Sequence, residues 1–282
     1  MPYDSLVPTS PPQPSPHATR EHMLRVSGRG YTTLRQNFVQ LDDSAERRDS
    51  VLGTIVSERK HRALILYLLL LTIWPHLKGL ENPLSSTIWR RALTSSKGSQ
   101  WSRADLSKTW AQLEDMGLIV RSRQGRLQRV QPLMEVGEEP YESPTGEKKN
   151  WAEAYLTLPP EFWTDEWFAE LNLAELAVML IVAKETTQRD EMWVTEAKVS
   201  EWYGISPNTF RKGIQGLEKH KLLKTRPEYI AAPLSPLGYT TRLNYSLSGN
   251  FSRDSRKRIQ ASAQRQMKAR AATTTTTPKE GK

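Results

Sequence analysis

A short stretch near residue 205 carries side chains suited to contact with nucleic-acid bases and phosphates. The sequence from Ile205 to Leu223 is ISPNTFRKGIQGLEKHKLL. On a helical wheel, one face of this stretch holds cations and amides with no carboxylate among them: Asn208, Arg211, Lys212, Gln215 and Lys219. Amide and guanidinium groups form paired hydrogen bonds with base edges, and cations attract phosphates. This face is therefore the leading candidate for a binding surface.

The residues between these polar positions predict the helix that presents them. Ser206 is suited to the N-cap, and Pro207 is suited to the first helical position. Phe210, Ile214 and Leu217 recur at helical spacing and predict a stripe that packs against the rest of the protein. The polar face is then left exposed to solvent.

A second, shorter helix is predicted just upstream, over Thr195–Tyr203. Gly204 follows it, at a position where a tight turn between two helices requires positive φ. We predict a short strand at Trp193 and Val194, and a long hairpin formed by Leu222–Arg226 and Tyr239–Leu247. The order helix, turn, helix, strand is typical of a winged helix-turn-helix.

The stretch VSEWYGISPNTFRKGIQGLEKHKLL resembles the DNA-binding helices of GntR-type winged-helix repressors. Apolar residues stand where that pattern has them, at Val199, Tyr203, Ile205, Phe210, Ile214 and Leu217, and Gly204 stands at its turn. The resemblance implies a helix that enters the DNA major groove and a hairpin that holds a phosphate or touches the minor groove. The expected contact residues are Ser206, Asn208, Thr209, Arg211, Lys212, Gln215, Lys219, Arg226 and Arg242.

The same pattern occurs a second time in the chain. Trp101–Ile119, WSRADLSKTWAQLEDMGLI, aligns without gaps on Ile205–Leu223 at an offset of 104 residues. Leu106, Trp110 and Leu113 repeat the apolar stripe. The contact residues expected in this copy are Arg90, Arg91, Ser102, Arg103, Ser107, Lys108, Arg121, Arg123, Arg126 and Arg129. The repeat predicts tandem winged helix-turn-helix domains.

The predicted fold class is mainly α, with small β-hairpins and disordered termini. Helices are predicted over residues 59–77, 85–93 and 102–116, followed by a hairpin whose turn is Gln124-Gly125. The predicted division is a disordered Pro-rich arm (1–25), a first winged-helix domain (26–136), a linker (137–150), a second winged-helix domain (151–250) and a basic, largely disordered tail (251–282). Whether that tail contacts DNA through a basic helix is left open.

Positive charge is concentrated in the predicted binding segments. The chain has a net charge of +9, and residues 82–134 hold nine cations against three acids. Residues 202–250 hold seven cations against two acids, whereas the intervening residues 151–201 hold eleven acids against three cations. A basic chain with this distribution favours a polyanionic partner.

The sequence lacks several patterns that would indicate an enzyme or a metal protein. It contains no cysteine, and its five histidines do not occur at metal-ligand spacing. There is no GxxxxGK[ST] phosphate loop, and its longest uncharged apolar run, Ala63–Pro75, is too short to cross a membrane. We therefore expect no catalytic activity, no cofactor, no bound metal and no membrane partner.

The function predicted from sequence is binding of double-stranded DNA, by a cytoplasmic, nucleoid-associated protein. It would be a sequence-specific regulator or an architectural factor without an effector domain. The tandem arrangement also resembles plasmid and phage replication initiators, which bind repeated origin sites. A protein–protein scaffold built on winged domains is a third hypothesis. Homodimers and contacts with the replication or transcription machinery are compatible with each of these roles.

Overall fold

The computed structural model describes residues 13–41, 50–137, 139–146 and 150–275, with the backbone alone at residue 151 and residues 270–275. Within these residues the chain is mainly helical and has three antiparallel sheets of two strands each. At this level the expected α-rich fold with small β-hairpins is confirmed.

The first helix, α1 (Pro16–Val26), lies where the sequence predicted a disordered arm. Ser15 caps its N-terminus through the side-chain oxygen, and Met23 and Leu24 are buried. The predicted disorder is therefore wrong from Pro16 onward, because the Ser-Pro cap and the buried apolar residues outweigh the Pro-rich composition. Residues 1–12 lie outside the described part of the chain.

A first unit of three helices and a hairpin follows two short elements, β1 (Thr32–Arg35) and α2 (Val51–Ser57). The elements of the first unit are α3 (His61–Leu77), α4 (Ser86–Leu93), α5 (Arg103–Asp115), β2 (Ile119–Gln124) and β3 (Leu127–Pro132). The predicted helices and strands agree with these bounds to within two residues. Helix α3 is buried along nearly its whole length, as expected for an apolar helix without a polar face.

A second unit repeats this order of elements. It is preceded by β4 (Tyr155–Leu158) and two short helices, α6 (Glu161–Thr164) and α7 (Trp167–Glu170). Its elements are α8 (Leu173–Glu185), α9 (Glu196–Tyr203), α10 (Pro207–Lys219), β5 (Leu223–Ala231) and β6 (Tyr239–Leu247). Gly204 has a φ of 64°, as the predicted turn between α9 and α10 requires.

The second hairpin differs from its prediction in two places. Strand β5 continues through Pro227, which is paired with Leu243, instead of ending at Arg226. Proline is tolerated there because β5 has a partner on one side only, so its missing N–H removes no ladder bond. The strand predicted at Trp193 and Val194 is replaced by a single bridge at the residue before them, Met192.

The predicted linker between the units is packed into the fold. Pro140 bridges to Leu133, and the side chain of Tyr141 is buried. Strand β1 pairs antiparallel with β4, in a register from Thr32↔Leu158 to Arg35↔Tyr155. The polar composition of residues 137–150 predicted a free linker. The β1–β4 sheet crosses this predicted domain boundary, because β1 precedes the first unit and β4 follows the linker. Residues 138 and 147–149 lie outside the described residues.

A buried arginine of α1 ties the two units together. Arg20 donates hydrogen bonds to the carbonyl oxygens of Ala92 (3.1 Å) and Thr94 (2.7 Å) at the end of α4. The same guanidinium donates to Glu166 Oε1 at 2.5 Å, just before α7. Three acceptors from two regions of the chain hold this planar group, so α1, α4 and α7 are fixed relative to one another.

The chain continues into α11 (Arg253–Thr275) after the second hairpin. The predicted disordered tail is therefore helical as far as Thr275, because Arg256 and Ala263 are buried against the fold. Residues 276–282 lie outside the described residues. Among the described helices, none combines the length and the apolar character needed to cross a membrane.

Candidate nucleic-acid interface

The two units share hydrogen bonds at the 104-residue offset of the sequence repeat. Ser102 Oγ accepts from the Asp105 N–H at 3.0 Å, and Ser206 Oγ accepts from the Thr209 N–H at 3.1 Å. Each serine thereby caps the N-terminus of its helix, α5 or α10, and for Ser206 the sequence predicted this cap.

The ends of these helices are equivalent as well. Gly117 and Lys221 both have positive φ, at 69° and 59°. Leu118 N–H donates to the Leu113 carbonyl at 3.0 Å, and the same bond at the second site measures 2.9 Å. These bonds turn each chain from its helix into its hairpin. A lysine in the left-handed region carries steric strain that a glycine avoids, so this turn is intrinsically less favourable in the second unit.

Helix α10 presents the predicted polar face to solvent. Its apolar face, including Phe210, Ile214 and Leu217, is buried. The predicted contact residues Asn208, Arg211, Lys212, Gln215 and Lys219 are exposed, and Thr209 is half-buried. Glu218 is exposed as well and adds a carboxylate beside Arg211. Gly213 lies against α8, where a Cβ would sit 2.5 Å from the Ala174 carbonyl oxygen. The close contact between α10 and α8 explains why this helix is fixed while its outer face stays free.

Acidic residues hold the arginines of the second unit. Arg211 forms an ion pair with Glu196, the first residue of α9. Arg226 of β5 donates to both carboxylate oxygens of Glu191, with Nε at 3.1 and 3.0 Å. Hydrogen bonds from Arg226 lower the pKa of Glu191. The acidic segment before α9 is therefore folded onto the basic segment after it.

An open groove of about 620 Å³ lies between α10 and the second hairpin. Arg211 and Gln215 stand on its helix side, and Leu243 and Tyr245 stand on its hairpin side. Arg242 stacks over the Trp193 ring at 4.3 Å. Glu196 and Glu218 line the same groove, so cations, an amide, aromatic surface and two carboxylates meet along one edge of α10.

The turn of the second hairpin is apolar and lacks the predicted basic character. Residues 227–241 contain one acid, Glu228, and no lysine or arginine. Leu234 is fully exposed, Leu237 is 73% exposed and Tyr229 is 69% exposed. This part of the hairpin cannot attract phosphates by charge.

Helix α5 of the first unit exposes fewer groups that can distinguish bases. Ser102, Arg103, Ser107 and Lys108 are exposed, together with Ala104. Among the described residues, no acid forms an ion pair with Arg103 or Lys108. The helix can therefore contact phosphates, but it exposes no amide, and Arg103 in its first turn is its only exposed guanidinium.

Two of the four arginines of the first hairpin are used inside the fold. Arg121 forms an ion pair with Glu114 of α5, and Arg129 donates to the carbonyl oxygens of Leu80 and Glu81. Gln124 pairs with Leu127, so the turn lies at Gly125 and Arg126, one residue later than predicted. Arg123 and Arg126 are exposed and have no ion-pair partner among the described residues. Only these two remain at the end of the hairpin to meet an anion.

The predicted contact residues Arg90 and Arg91 are also engaged within the protein. Arg90 Nε donates to the Trp101 carbonyl at 2.8 Å, and Arg91 Nε donates to Thr19 Oγ1 at 2.9 Å. Both side chains are half-buried. Sequence spacing placed them on a helix but gave no signal of these acceptors, which come from a following loop and from α1.

No cluster of three or more histidine, cysteine, aspartate or glutamate side chains within the described residues is arranged to hold a metal ion. Comparison of the chain with protein-family models, with curated proteins and with solved structures found no match. The interpretation of the interface therefore rests on the contacts described above.

Proposed function

We propose that this protein binds double-stranded DNA through two winged helix-turn-helix units and acts by binding, without catalysis. The observation that carries the proposal is the exposed face of α10. It combines amides and cations on a helix whose other face is fixed against α8. Such a helix can enter the major groove and form paired hydrogen bonds with base edges.

The repeated architecture supports a second contact with the same duplex. The first unit reproduces the helix caps and turns of the second, and its free cations lie on α5 and at the hairpin turn. Arg20 and the β1–β4 sheet fix the units relative to each other. We propose that the second unit recognises sequence and that the first unit binds phosphates at a fixed distance from it.

The proposed role is that of a sequence-specific regulator or architectural factor. Enrichment of duplexes from a random pool, followed by fluorescence anisotropy, tests DNA binding directly. We expect enrichment of a defined motif. We also expect the affinity to fall as the salt concentration rises. The slope of log affinity against log salt concentration should be about −5 to −9, which corresponds to roughly six to ten neutralised phosphates.

A slope shallower than about −2 would contradict binding by both units, since so few phosphates would be neutralised. Failure to retain any duplex would contradict the proposal as a whole. If the protein does bind DNA, mapping its bound sites in cells would define its role. Inverted repeats over promoters would indicate a regulator, and direct repeats at a replication origin would indicate an initiator.

A further inference from the structure

The C-terminal helix α11 is anchored to the second unit at its first turns. Arg256 is buried and donates to the Ala183 carbonyl oxygen at 2.7 Å and to Thr186 Oγ1 at 2.7 Å. These groups lie at the C-terminal end of α8, where unpaired carbonyls and the helix dipole favour a cation. Gln260 donates to Thr157 of β4 at 2.7 Å. Helix α11 therefore leaves the fold in a fixed direction.

Beyond Ala263, α11 exposes a run of side chains that includes cations. Every side chain from residue 264 to residue 269 is exposed. Among the side chains of this helix that the structure describes, the exposed cations are Lys257, Arg258, Arg265 and Lys268. Within the described part of the chain, none of the four forms an ion pair with an acid. Arg211 and Arg226 of the second unit differ in this respect, because each is paired with a glutamate.

This charge distribution is unfavourable in isolation. Like charges spaced along one helix repel each other, and the exposed residues 264–269 gain no packing energy that would offset this repulsion. A polyanion that neutralises the four cations removes that repulsion and releases its own bound counterions.

We propose that the exposed part of α11 is a third DNA contact, which binds backbone phosphates without reading sequence. The inference rests on the proposed DNA binding, and it adds an element outside both repeated units. Lys257 and Lys268 are separated by about 16 Å along the helix axis, at 1.5 Å per residue. That span covers about five base pairs of duplex.

The test compares three proteins on one 40-base-pair duplex of random sequence, by fluorescence anisotropy at several salt concentrations. The first is the wild type, and the second carries Lys257→Gln, Arg258→Gln, Arg265→Gln and Lys268→Gln. The third retains charge through Arg258→Lys and Arg265→Lys. Circular dichroism verifies that each variant keeps its helix content. We expect it to do so, because the replaced side chains are exposed.

We expect the neutralised variant to lose about ten-fold or more in affinity at 0.15 M salt, and its log–log slope to become shallower by about 3–4. The charge-retaining variant should match the wild type. Replacing the exposed Gln264 and Gln266 by alanine should also leave binding unchanged, which separates charge from a general disturbance of the helix.

The two levels of the proposal fail differently. If the wild type does not bind the duplex, the proposed function is wrong. If the wild type binds and the neutralised variant binds with the same affinity and slope, the third contact is wrong while DNA binding stands. The basic helix would then be assigned to an acidic protein partner instead.

Discussion

The first and second units use one backbone arrangement to present different surfaces. Both have a serine-capped third helix that ends in a left-handed residue and leads into a hairpin. In the first unit, Arg90, Arg91, Arg121 and Arg129 are bonded to protein acceptors. In the second unit the corresponding helix exposes amides and cations along its full length. Repetition of the fold therefore does not imply repetition of the binding surface.

In the hairpins, by contrast, the first unit is the one that exposes cations. The first is short, with a basic turn at Arg123 and Arg126. The second has strands of nine residues and an apolar turn around Leu234. Under the proposed function, this difference favours phosphate binding by the hairpin of the first unit and sequence recognition by the helix of the second.

The largest expected effect comes from breaking the buried contact between Arg20 and Glu166, one of those that join the two units. Glu166 accepts hydrogen bonds from Arg20 and from the hydroxyls of Ser95 and Ser96. Replacing Glu166 by Gln leaves Arg20 buried with a neutral partner. We expect a loss of about 1.5–3 kcal/mol in the free energy of unfolding at pH 7. Denaturant titration measures this loss.

The pH dependence of the same variant has a definite sign. Burial raises the pKa of Glu166, but the hydrogen bonds from Ser96 and Ser95 and the charge of Arg20 outweigh it and lower the pKa to about 2. The folded pKa lies below the unfolded one, so the stabilisation is present above about pH 4.5 and is lost as the pH falls toward 2. The difference between variant and wild type should shrink over that range.

Glu170 provides the control, because it lies only four residues after Glu166. It pairs with Lys97 in a more exposed position. Glu170→Gln should cost less than about 1 kcal/mol. Equal effects of the two substitutions would show that the junction through Arg20 is no stronger than an ordinary surface pair.

A second prediction concerns the different spacing of helices in the two units. A Cβ at Gly213 would sit 2.5 Å from both the Ala174 carbonyl oxygen and Val178 Cγ2. Gly213→Ala should therefore cost about 1–3 kcal/mol, despite the higher helix propensity of alanine. The equivalent residue of the first unit is Thr109, and Thr109→Ala should cost less. If Gly213→Ala is stabilising, α10 is not held against α8 as closely as described.

Much of this helical framework could be predicted from the sequence. The cap at Ser206 and the turn at Gly204 follow from local backbone preferences, and the structure has them where the pattern predicted. The apolar stripe of α10 was predicted equally well, because helical periodicity identifies the buried face without tertiary information. The 104-residue repeat predicted the hairpin that follows α5.

The contacts between distant segments could not be predicted in this way. Arg20 lies in a stretch that resembles a disordered arm, yet it is buried against α4 and Glu166. The pairing of β1 with β4 joins strands separated by more than a hundred residues, so no local pattern indicates it. The ion pairs of Arg211 and Arg226 were missed for the same reason, although an acidic segment beside a basic one was visible in the charge distribution.

A third prediction tests the assignment of sequence recognition and phosphate binding. Asn208→Ala and Arg211→Ala should each cost about 1–3 kcal/mol on the selected duplex and relax preference at particular base pairs. Arg123→Ala and Arg126→Ala should weaken selected and scrambled duplexes about equally and lower the salt slope by roughly one unit each. Anisotropy with both duplexes at several salt concentrations measures all four variants.

The assignment is reversed if the hairpin variants change sequence preference and the helix variants do not. If none of the four substitutions alters binding, the proposed winged-helix interface itself is wrong. Arg121→Ala serves as a matched control in the first hairpin, because that side chain is already paired with Glu114 and should contribute little to the salt slope.

The smallest expected effect concerns the acid that holds Arg211. Glu196 is paired with this arginine and must release it, or keep it aligned, when α10 meets DNA. The negative charge of Glu196 repels the phosphates of any duplex, whatever its sequence. On the selected duplex, the base contact of the aligned Arg211 offsets this repulsion, and on a scrambled duplex nothing does. Glu196→Gln should therefore strengthen binding to scrambled duplex a few-fold and leave the selected duplex nearly unchanged, so that the specificity ratio falls.

Glu201→Gln, on the same helix, changes the same charge without touching Arg211 and should preserve that ratio. An equal gain on both duplexes for Glu196→Gln would mean that the residue acts only as a general charge, and that Arg211 needs no partner to recognise its base.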